Sequence, residues 1–258
     1  MLLNSHLTVR GWQHAGMTTD IALPDSPGGS TGLRGVLAEP DGPGPHPGVV
    51  VVHEAFGVDD VMRRQVERLA AAGFTALMPD LFSQGGARRC LVSTMRAMLS
   101  GEGRAYVDIE TARAHLAARP DATGSVGVIG FCMGGGFALM TAAGHGFAAA
   151  SANYGQLPRH LDDALEGACP VVASYGAKDA SLRGAASKLA GALARQGVAH
   201  DVKEYADAGH SFLNDARNLP GPAFGGWFAE RVLHVGPEPD SAADAWRRIE
   251  AFFDEHLR

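Results

Sequence analysis

A cysteine between two glycines is the most informative local feature of this 258-residue sequence. Cys132 lies in the segment Gly130-Phe131-Cys132-Met133-Gly134, which follows the apolar run 126–129 and precedes small residues typical of a tightly packed helix. Strand, G-x-C-x-G and helix in that order form a nucleophile elbow, with sulfur in place of the usual serine oxygen. The start of a helix favours the nucleophilic thiolate through its unpaired N–H groups and dipole. The pattern therefore predicts that Cys132 is a nucleophile.

Two residues further along the chain could complete a catalytic triad with Cys132. Asp179 closes the segment Gly176-Ala177-Lys178-Asp179 after a predicted strand, and His210 lies in the glycine-containing segment 206–212. A histidine can take and return the thiol proton, while an aspartate fixes the imidazole tautomer and stabilises its charged form. The chain order nucleophile, acid, histidine also fits a known class of triads on parallel sheets. We therefore predict a triad of Cys132, Asp179 and His210.

Simpler interpretations exist for each of these residues. Most free cysteines are small packing residues, loop aspartates commonly form turns, and most histidines are surface or satisfied core groups. Asp207 is a rival acid near His210, although its position is that of a turn residue. The joint pattern of elbow, acid and histidine favours the triad over these alternatives. Cys90 and Cys169 have no comparable setting and are expected to be structural.

These side chains need a scaffold that brings distant segments to one edge of a sheet. Strand and helix patterns alternate, which favours a mostly parallel sheet covered by helices on both faces, with the ligand crevice at the carboxyl ends of the strands. The predicted strands are 18–23, 34–38, 49–52, 74–78, 125–129 and 171–175, the first two forming a hairpin. The predicted helices are 61–72, 107–118, 134–143 and 182–196. The polar segment from about 80 to 103 is expected to be irregular and to form a partial lid.

Composition and charge argue against several classes of function. A net charge of −6, with no run of basic residues longer than two, makes nucleic acid an unfavourable partner. No segment approaches the roughly 20 apolar residues of a membrane span, and the N-terminus carries no signal-peptide pattern. Three cysteines without metal-ligand spacing indicate free thiols, so we expect a cytoplasmic protein without disulfides. The scattered histidines form no ligand motif, and we predict neither a metal nor an organic cofactor.

The domain organisation is expected to be simple. A chain of this length fits one α/β domain, because such folds often reach roughly 200 to 250 residues undivided. Residues 1–16 are polar and are predicted to be a poorly ordered leader before a single domain over residues 17–258. The sequence leaves open whether the protein is a monomer or a homodimer.

Five motifs together resemble the dienelactone hydrolase family of α/β-hydrolases. They are H-E-A-F-G at 53–57, P-D-L-F at 79–82, G-F-C-M-G-G at 130–135, G-A-K-D at 176–179 and A-G-H-S-F at 208–212. The resemblance covers roughly Leu33 to the C-terminus, and the pairing of a cysteine elbow with H-E-A-F-G is specific. It implies the α/β-hydrolase fold and hydrolysis of an ester or lactone without a cofactor.

The same resemblance implies roles for residues beside the nucleophile. Glu54 would hold the resting thiol protonated and swing away on substrate binding, which releases Cys132 to pair with His210. The simpler interpretation of Glu54 is an exposed loop carboxylate, as most glutamates are solvated. Backbone N–H groups of Ala55 and Met133 would form the oxyanion hole.

Substrate binding is where the sequence departs from this family. Asn214 stands four residues after His210, where the lactone-carboxylate enzymes of the family carry arginine. Asparagine cannot supply the charged bidentate fork with which arginine binds a carboxylate. We expect Asn214 to face the crevice together with Phe56 and Phe212 as substrate-binding residues. The bases that could replace the missing charge are Arg88, Arg89 and Arg217.

The leading hypothesis is therefore a hydrolase of a small ester, lactone or thioester that acts through an acyl-cysteine intermediate. Its substrate is either a dienelactone-type anion or a neutral ester. The competing hypothesis is a non-catalytic ligand-binding or redox-sensing protein that keeps the fold and a reactive Cys132. Turnover of small esters distinguishes the two.

Overall fold

The structure, a computed structural model, describes residues 17–218 and 232–258, so the predicted leader over residues 1–16 lies outside the described residues. The described strands are β1 (Thr19–Ala22), β2 (Arg34–Ala38), β3 (His46–Val52), β4 (Thr75–Pro79), β5 (Ala122–Phe131), β6 (Ala149–Asn153), β7 (Val171–Gly176) and β8 (His200–Tyr205). They form one sheet in the order β1-β2-β4-β3-β5-β6-β7-β8. The β1–β2 and β2–β4 pairs are antiparallel, and every other pair is parallel. The predicted opening hairpin and mostly parallel sheet are confirmed.

Helices connect these strands. They are α1 (Asp60–Ala71), α2 (Ala87–Ser100), α3 (Arg104–Ala117), α4 (Met133–Thr141), α5 (Leu161–Ala164), α6 (Ala185–Arg195) and α7 (Pro239–Leu257), with a 3₁₀ turn at Ala180–Leu182. Over residues 17–218 and 232–258, none of the helices combines the length and the apolar character that a membrane span requires.

The central strands are covered on both faces. In β3, Val49–Val52 are fully buried, as expected for a strand of β-branched residues between two helical layers. A Cβ placed on Gly48 would meet Leu116 of α3, whereas one on Gly127 would meet Leu257 of α7. Gly48 pairs with Val126, one residue before Gly127, and successive residues of a strand point to opposite faces. Helices α3 and α7 therefore lie on opposite sides of the sheet.

The expectation of an irregular lid over residues 80–103 is wrong for most of that segment. Residues 87–100 form α2, bounded by Gly86 and by a left-handed Gly101. Only a narrow stripe faces inward, at four-residue spacing: Cys90, Thr94 and Met98. The stripe contains a polar threonine, and Val92 and Leu99 are exposed on the outer side. The apolar periodicity that identifies a helix is therefore weak in this sequence.

Besides the short helix α5, three further elements were not predicted. Strand β6 has the sequence AASAN, whose small and polar residues have little intrinsic β propensity, yet it is completely buried between β5 and β7. Strand β8 is a mostly polar edge strand. Helix α7 buries a regular stripe on the sheet, including Trp246, Ile249 and Phe253. The first two form because of their neighbours in space, and the third carries a helical pattern that the sequence does show.

Candidate active site

Cys132 lies at the sharp turn between β5 and α4. Its backbone has φ 54° and ψ −114°, a left-handed φ that is costly for a non-glycine residue and recurs at functional sites. A Cβ on Gly130 would overlap the backbone of Gly134, and one on Gly134 would overlap the carbonyl oxygen of Val52. The two elbow glycines are therefore required by backbone contacts. The turn holds Cys132 partly exposed at the carboxyl edge of the sheet.

The predicted acid and histidine meet at the same edge. The Nδ1 atom of His210 lies 2.6 Å from Oδ2 of Asp179, and the aspartate side chain is fully buried. The other oxygen, Oδ1, accepts hydrogen bonds from the backbone N–H and hydroxyl of Ser181 at 3.0 and 2.6 Å. Hydrogen bonds to both oxygens thus fix the Asp179 carboxylate, with Oδ2 directed at the imidazole of His210. The rival, Asp207, is an exposed residue that forms an ion pair with Lys178.

Asp179 and His210 stabilise each other's ionised form. Burial opposes ionisation of Asp179, but hydrogen bonds from His210 and Ser181 and the charge of His210 outweigh it and lower the pKa of the carboxyl. Burial would likewise lower the pKa of His210, yet the Cys132 thiolate charge and hydrogen bonds to Asp179 and Cys132 raise it to about 10. The raised pKa therefore favours the protonated imidazole of His210 beside Cys132. By contrast, burial raises the pKa of Cys169 to about 12, which makes that thiol unreactive.

The histidine loop is held by the segment that precedes α7. The N–H of His210 donates to the carbonyl of Leu233 at 2.8 Å, and the N–H of Gly236 donates to the carbonyl of His210 at 3.1 Å. A Cβ on Gly209 would overlap the backbone of His234, and Nδ1 of His234 lies 3.1 Å from the carbonyl of Lys178. These contacts tie the loop of His210 to the loop that carries Asp179.

The two predicted oxyanion residues lie on adjoining segments. Met133 is the first residue of α4, and the N–H groups in the first turn of a helix have no acceptor within it. Ala55 lies inside a turn closed by the hydrogen bond from the Gly57 N–H to the Glu54 carbonyl at 3.1 Å. Gly134 packs against the end of β3 at Val52, which brings the start of α4 to the start of that turn. Their oxyanion role stays a prediction.

The side chain of His53 fixes the turn that contains Glu54 and Ala55. The residue is fully buried, its Nδ1 lies 2.7 Å from the Glu54 carbonyl oxygen, and its Nε2 accepts the Leu81 N–H at 3.2 Å. The pattern requires a neutral ring with its proton on Nδ1. Burial lowers the pKa of His53, which favours that neutral form. His53 therefore joins the turn of Glu54 and Ala55 to the loop after β4.

Glu54 is not the exposed carboxylate of the simpler interpretation, since its relative exposure is 1%. Its Oε1 accepts from the Ser211 hydroxyl at 3.0 Å and from Asn214 Nδ2 at 3.2 Å, and its Oε2 accepts from Asn218 Nδ2 at 2.8 Å. Of the described residues, Cys132 is not among the donors to this carboxylate. The arrangement therefore has Glu54 turned toward its amide partners while Cys132 interacts with His210.

The predicted substrate-binding residues separate into exposed and buried positions. Phe56 is 38% exposed and lies within the turn from Glu54 to Gly57. Phe212 is fully buried between Tyr154 and Tyr205, so the expectation that it faces the crevice is wrong: its ring fills the core. Asn214 is 2% exposed and is bound to Glu54, which contradicts its expected position at the crevice surface. Arg88, Arg89 and Arg217 are exposed.

Tyr154 is a site residue that the sequence interpretation missed. It directly follows β6, has φ 41°, and its ring centroid lies 5.1 Å from that of His210. Burial, the charges of Glu54 and Cys132, and a hydrogen bond to Glu54 raise the pKa of its phenol well above the ordinary value. The hydroxyl therefore keeps its proton, and it donates to Asn214 Oδ1 at 3.4 Å. Its position after a strand was the available signal, but that strand was itself not predicted.

Ser211 and Asn218 were missed as well. Ser211 stands within the histidine motif, and Asn218 is four residues after Asn214, so both lay close to predicted residues. Their hydrogen bonds to Glu54 depend on the tertiary fold. Among the residues that the structure describes, no three His, Cys, Asp or Glu side chains are grouped so that they could hold a metal ion.

Comparison with known proteins places this arrangement in a family. The dienelactone hydrolase family profile matches residues 33–257. A Yersinia pestis protein provisionally named carboxymethylenebutenolidase is 30% identical over 263 residues, covering 94% of this chain and 89% of that protein. It is one of several such relatives.

Solved structures agree with the sequence relatives. A Klebsiella pneumoniae subsp. pneumoniae protein provisionally named dienelactone hydrolase has a TM-score of 0.75 at 27% identity, covering 92% of this chain and 98% of that one. A dienelactone hydrolase-like promiscuous phosphotriesterase from metagenomic libraries has a TM-score of 0.72 at 26% identity, covering 94% and 100%. The predicted α/β-hydrolase fold is thereby confirmed, and a hydrolase of small molecules is supported. The chain belongs to the dienelactone hydrolase family.

Proposed function

We propose that this protein hydrolyses a small ester or lactone through an acyl-cysteine intermediate on Cys132, with His210 as acid and base and Asp179 as its orienting carboxylate. The observation that carries the proposal is the continuous chain of contacts from Asp179 through His210 to Cys132 at one edge of the sheet. The raised pKa of His210 favours an imidazolium beside Cys132, and such a cation stabilises the thiolate that a cysteine nucleophile needs.

The reaction then proceeds in two balanced stages. The thiolate of Cys132 attacks the carbonyl carbon, and the π electron pair moves to oxygen, where the N–H groups of Ala55 and Met133 receive it. As the C–O bond breaks, the imidazolium of His210 gives its proton to the leaving alkoxide, which remains attached in a lactone. Neutral His210 next takes a proton from water as that water attacks the thioester. Cleavage of the C–S bond releases the acid and restores the starting pair.

The names of the relatives suggest where to look for the substrate. Carboxymethylenebutenolidase relatives make a dienelactone-type lactone one substrate to test, and neutral esters are the other. We further propose a cytoplasmic location, one α/β-hydrolase domain over residues 17–258 and no cofactor. The competing function, a ligand-binding or redox-sensing protein, predicts at most a single acylation of Cys132.

Burst kinetics with 4-nitrophenyl acetate test this proposal. An enzyme gives a burst of 4-nitrophenol equal to the active sites, followed by steady turnover, whereas a sensor stops after one equivalent. Cys132→Ala and His210→Ala should each lower kcat by about 10³-fold or more, and the double variant should be no slower than either, because the residues act as one unit. Circular dichroism confirms folding of each variant. Substantial kcat in Cys132→Ala contradicts the assignment.

A further inference from the structure

One residue of the neighbouring strand forms two hydrogen bonds to the nucleophile elbow. The N–H of Cys132 donates to the backbone carbonyl of Asn153 at 3.1 Å, and Nδ2 of Asn153 donates to the carbonyl of Gly130 at 3.2 Å. Asn153 is the last residue of β6 and pairs with Phe131 of β5. The main chain and the side chain of Asn153 therefore together restrain the segment that ends at Cys132.

A polar side chain is unexpected at this position of the sheet. Asn153 is fully buried, and its strand partner Phe131 has its ring centroid 6.0 Å from that of Trp246 in α7. The Oδ1 atom of Asn153 is buried and has no hydrogen-bond partner within residues 17–218 and 232–258. A buried polar atom without a partner is unfavourable, and an apolar side chain would avoid it. The amide therefore needs an explanation other than packing.

The hydrogen bond to Gly130 fixes the orientation of this amide. A backbone carbonyl can only accept, so the group that faces it must be the NH₂ of Asn153 and not the oxygen. The second group near Nδ2 is the Ser151 hydroxyl at 3.2 Å, which can donate or accept and so permits the same orientation. The unpaired Oδ1 is thus a consequence of the contact between Asn153 and the elbow.

The elbow needs such a restraint because its backbone is strained. Cys132 has φ 54°, and a non-glycine residue keeps such a conformation only where the surrounding contacts enforce it. A Cβ on Gly135 would lie 2.7 Å from the Asn153 carbonyl oxygen, so the first turn of α4 packs on the same residue. Loss of the side-chain hydrogen bond would free the Gly130 peptide and let the sulfur move. A displacement of about 1 Å can slow a reaction by about a hundredfold.

We propose that Asn153 is a positioning residue for the hydrolysis reaction. Its amide holds the Gly130 carbonyl and thereby keeps Cys132 in the conformation that attacks the substrate. The inference rests on the proposed function, because it concerns the reactivity of the same nucleophile. Since Asn153 is fully buried, it is not available to bind the ester. Its effect should therefore fall on the rate of acylation and not on substrate binding.

Asn153→Leu tests the proposal, because leucine has the same number and branching of side-chain heavy atoms but neither the donor to Gly130 nor the unpaired oxygen. Stopped-flow measurement of the 4-nitrophenol burst gives the acylation rate constant and the dissociation constant of 4-nitrophenyl acetate separately. The rate constant should fall about tenfold or more, while the dissociation constant should stay within about twofold of the wild-type value. Asn153→Ala, which is smaller and also lacks the donor, should give the same result.

Ser151→Ala is the matched control, because it removes the other neighbour of Nδ2 on the same strand and leaves the bond to Gly130 in place. Its acylation rate constant should equal that of the wild type, and urea unfolding establishes which variants fold. An unchanged rate constant in the folded Asn153 variants, an equal fall in Ser151→Ala, or failure of both Asn153 variants to fold overturns the proposal. If the wild-type burst does not depend on Cys132, the proposed function itself is wrong.

Discussion

At the scale of single residues, the site is governed by four charged or ionisable groups in close contact. Asp179 holds His210, Cys132 acts on the pKa of His210, and Glu54 accepts a hydrogen bond from Ser211, the residue after His210. The lowered pKa of Asp179 and the raised pKa of His210 favour an ionised carboxylate that supports a protonated imidazole beside Cys132. The reactivity of Cys132 therefore depends on how strongly the positive charge of His210 is retained.

The Cys132→Ser substitution tests this dependence. Since the thiolate charge is the largest influence that raises the pKa of His210, a neutral serine hydroxyl should let that pKa fall well below 10. Titration of the imidazole signals by NMR measures the change. Cys169→Ser is the control, because Cys169 is not among the groups that act on His210. An imidazole that titrates identically in wild type and Cys132→Ser would show that no thiolate is present beside it.

At the scale of elements, the site depends on how closely α4 approaches the end of β3. Gly134 lets the first turn of α4 contact Val52, which aligns Met133 with the turn of Glu54 and Ala55. A hydrogen bond between the buried ring of His53 and the Glu54 carbonyl holds the turn of Glu54 and Ala55 in place. Both proposed oxyanion donors are thus positioned by backbone packing, and their own side chains contribute little.

A pair of glycine substitutions distinguishes the effect of the contact between Gly134 and Val52 from the general effect of replacing a glycine in a helix. Gly134→Ala should lower the free energy of unfolding by about 2 kcal/mol or more and reduce kcat, because its Cβ would overlap the Val52 carbonyl. Gly191→Ala lies within α6, where the nearest atom to the new Cβ is the flexible Arg195 side chain at 3.4 Å. It should stabilise the protein by up to about 1 kcal/mol. Urea unfolding measures both, and equal effects would contradict the packing argument.

At the scale of the whole molecule, one hydrophobic cluster extends from Leu23 to Leu257 and encloses the sheet from both sides. We infer from this continuity that the described residues unfold cooperatively as one unit. The cluster also encloses polar residues, of which His53 is completely buried and hydrogen-bonded on both ring nitrogens. Protonation of His53 would convert its acceptor nitrogen into a donor facing the Leu81 N–H.

The pH dependence of stability should reveal this residue. The folded-state pKa of His53 is lower than its value of about 6.5 in an unfolded chain, so the unfolded state binds the proton first. The contribution is fully present above about pH 6.5 and is lost as the pH falls below it. Between pH 7.5 and 5.5 the loss should reach up to about 1.4 kcal/mol in the wild type and should be smaller in His53→Gln. Urea unfolding at both pH values decides the point, and identical losses would contradict it.

The sequence by itself predicted the nucleophile and its two partners in chain order, and it determined the family and the class of sheet. Each of these depends on local spacing: a glycine pattern at the elbow, a strand that ends before Asp179, and a hydrophobic run such as Val49–Val52. Local steric and periodic constraints leave few alternative structures, so these patterns can be interpreted from the sequence alone.

Only the tertiary structure decided the surroundings of Glu54. Its donors Ser211, Asn214 and Asn218 are 157, 160 and 164 residues away in the chain, and Tyr154 follows a strand whose own residues have little β propensity. For the same reason Phe212 packs in the core and Asn214 forms a hydrogen bond to Glu54, although both were expected to face the substrate. Burial and long-range hydrogen bonding result from the packing of the whole chain, which local sequence patterns do not encode.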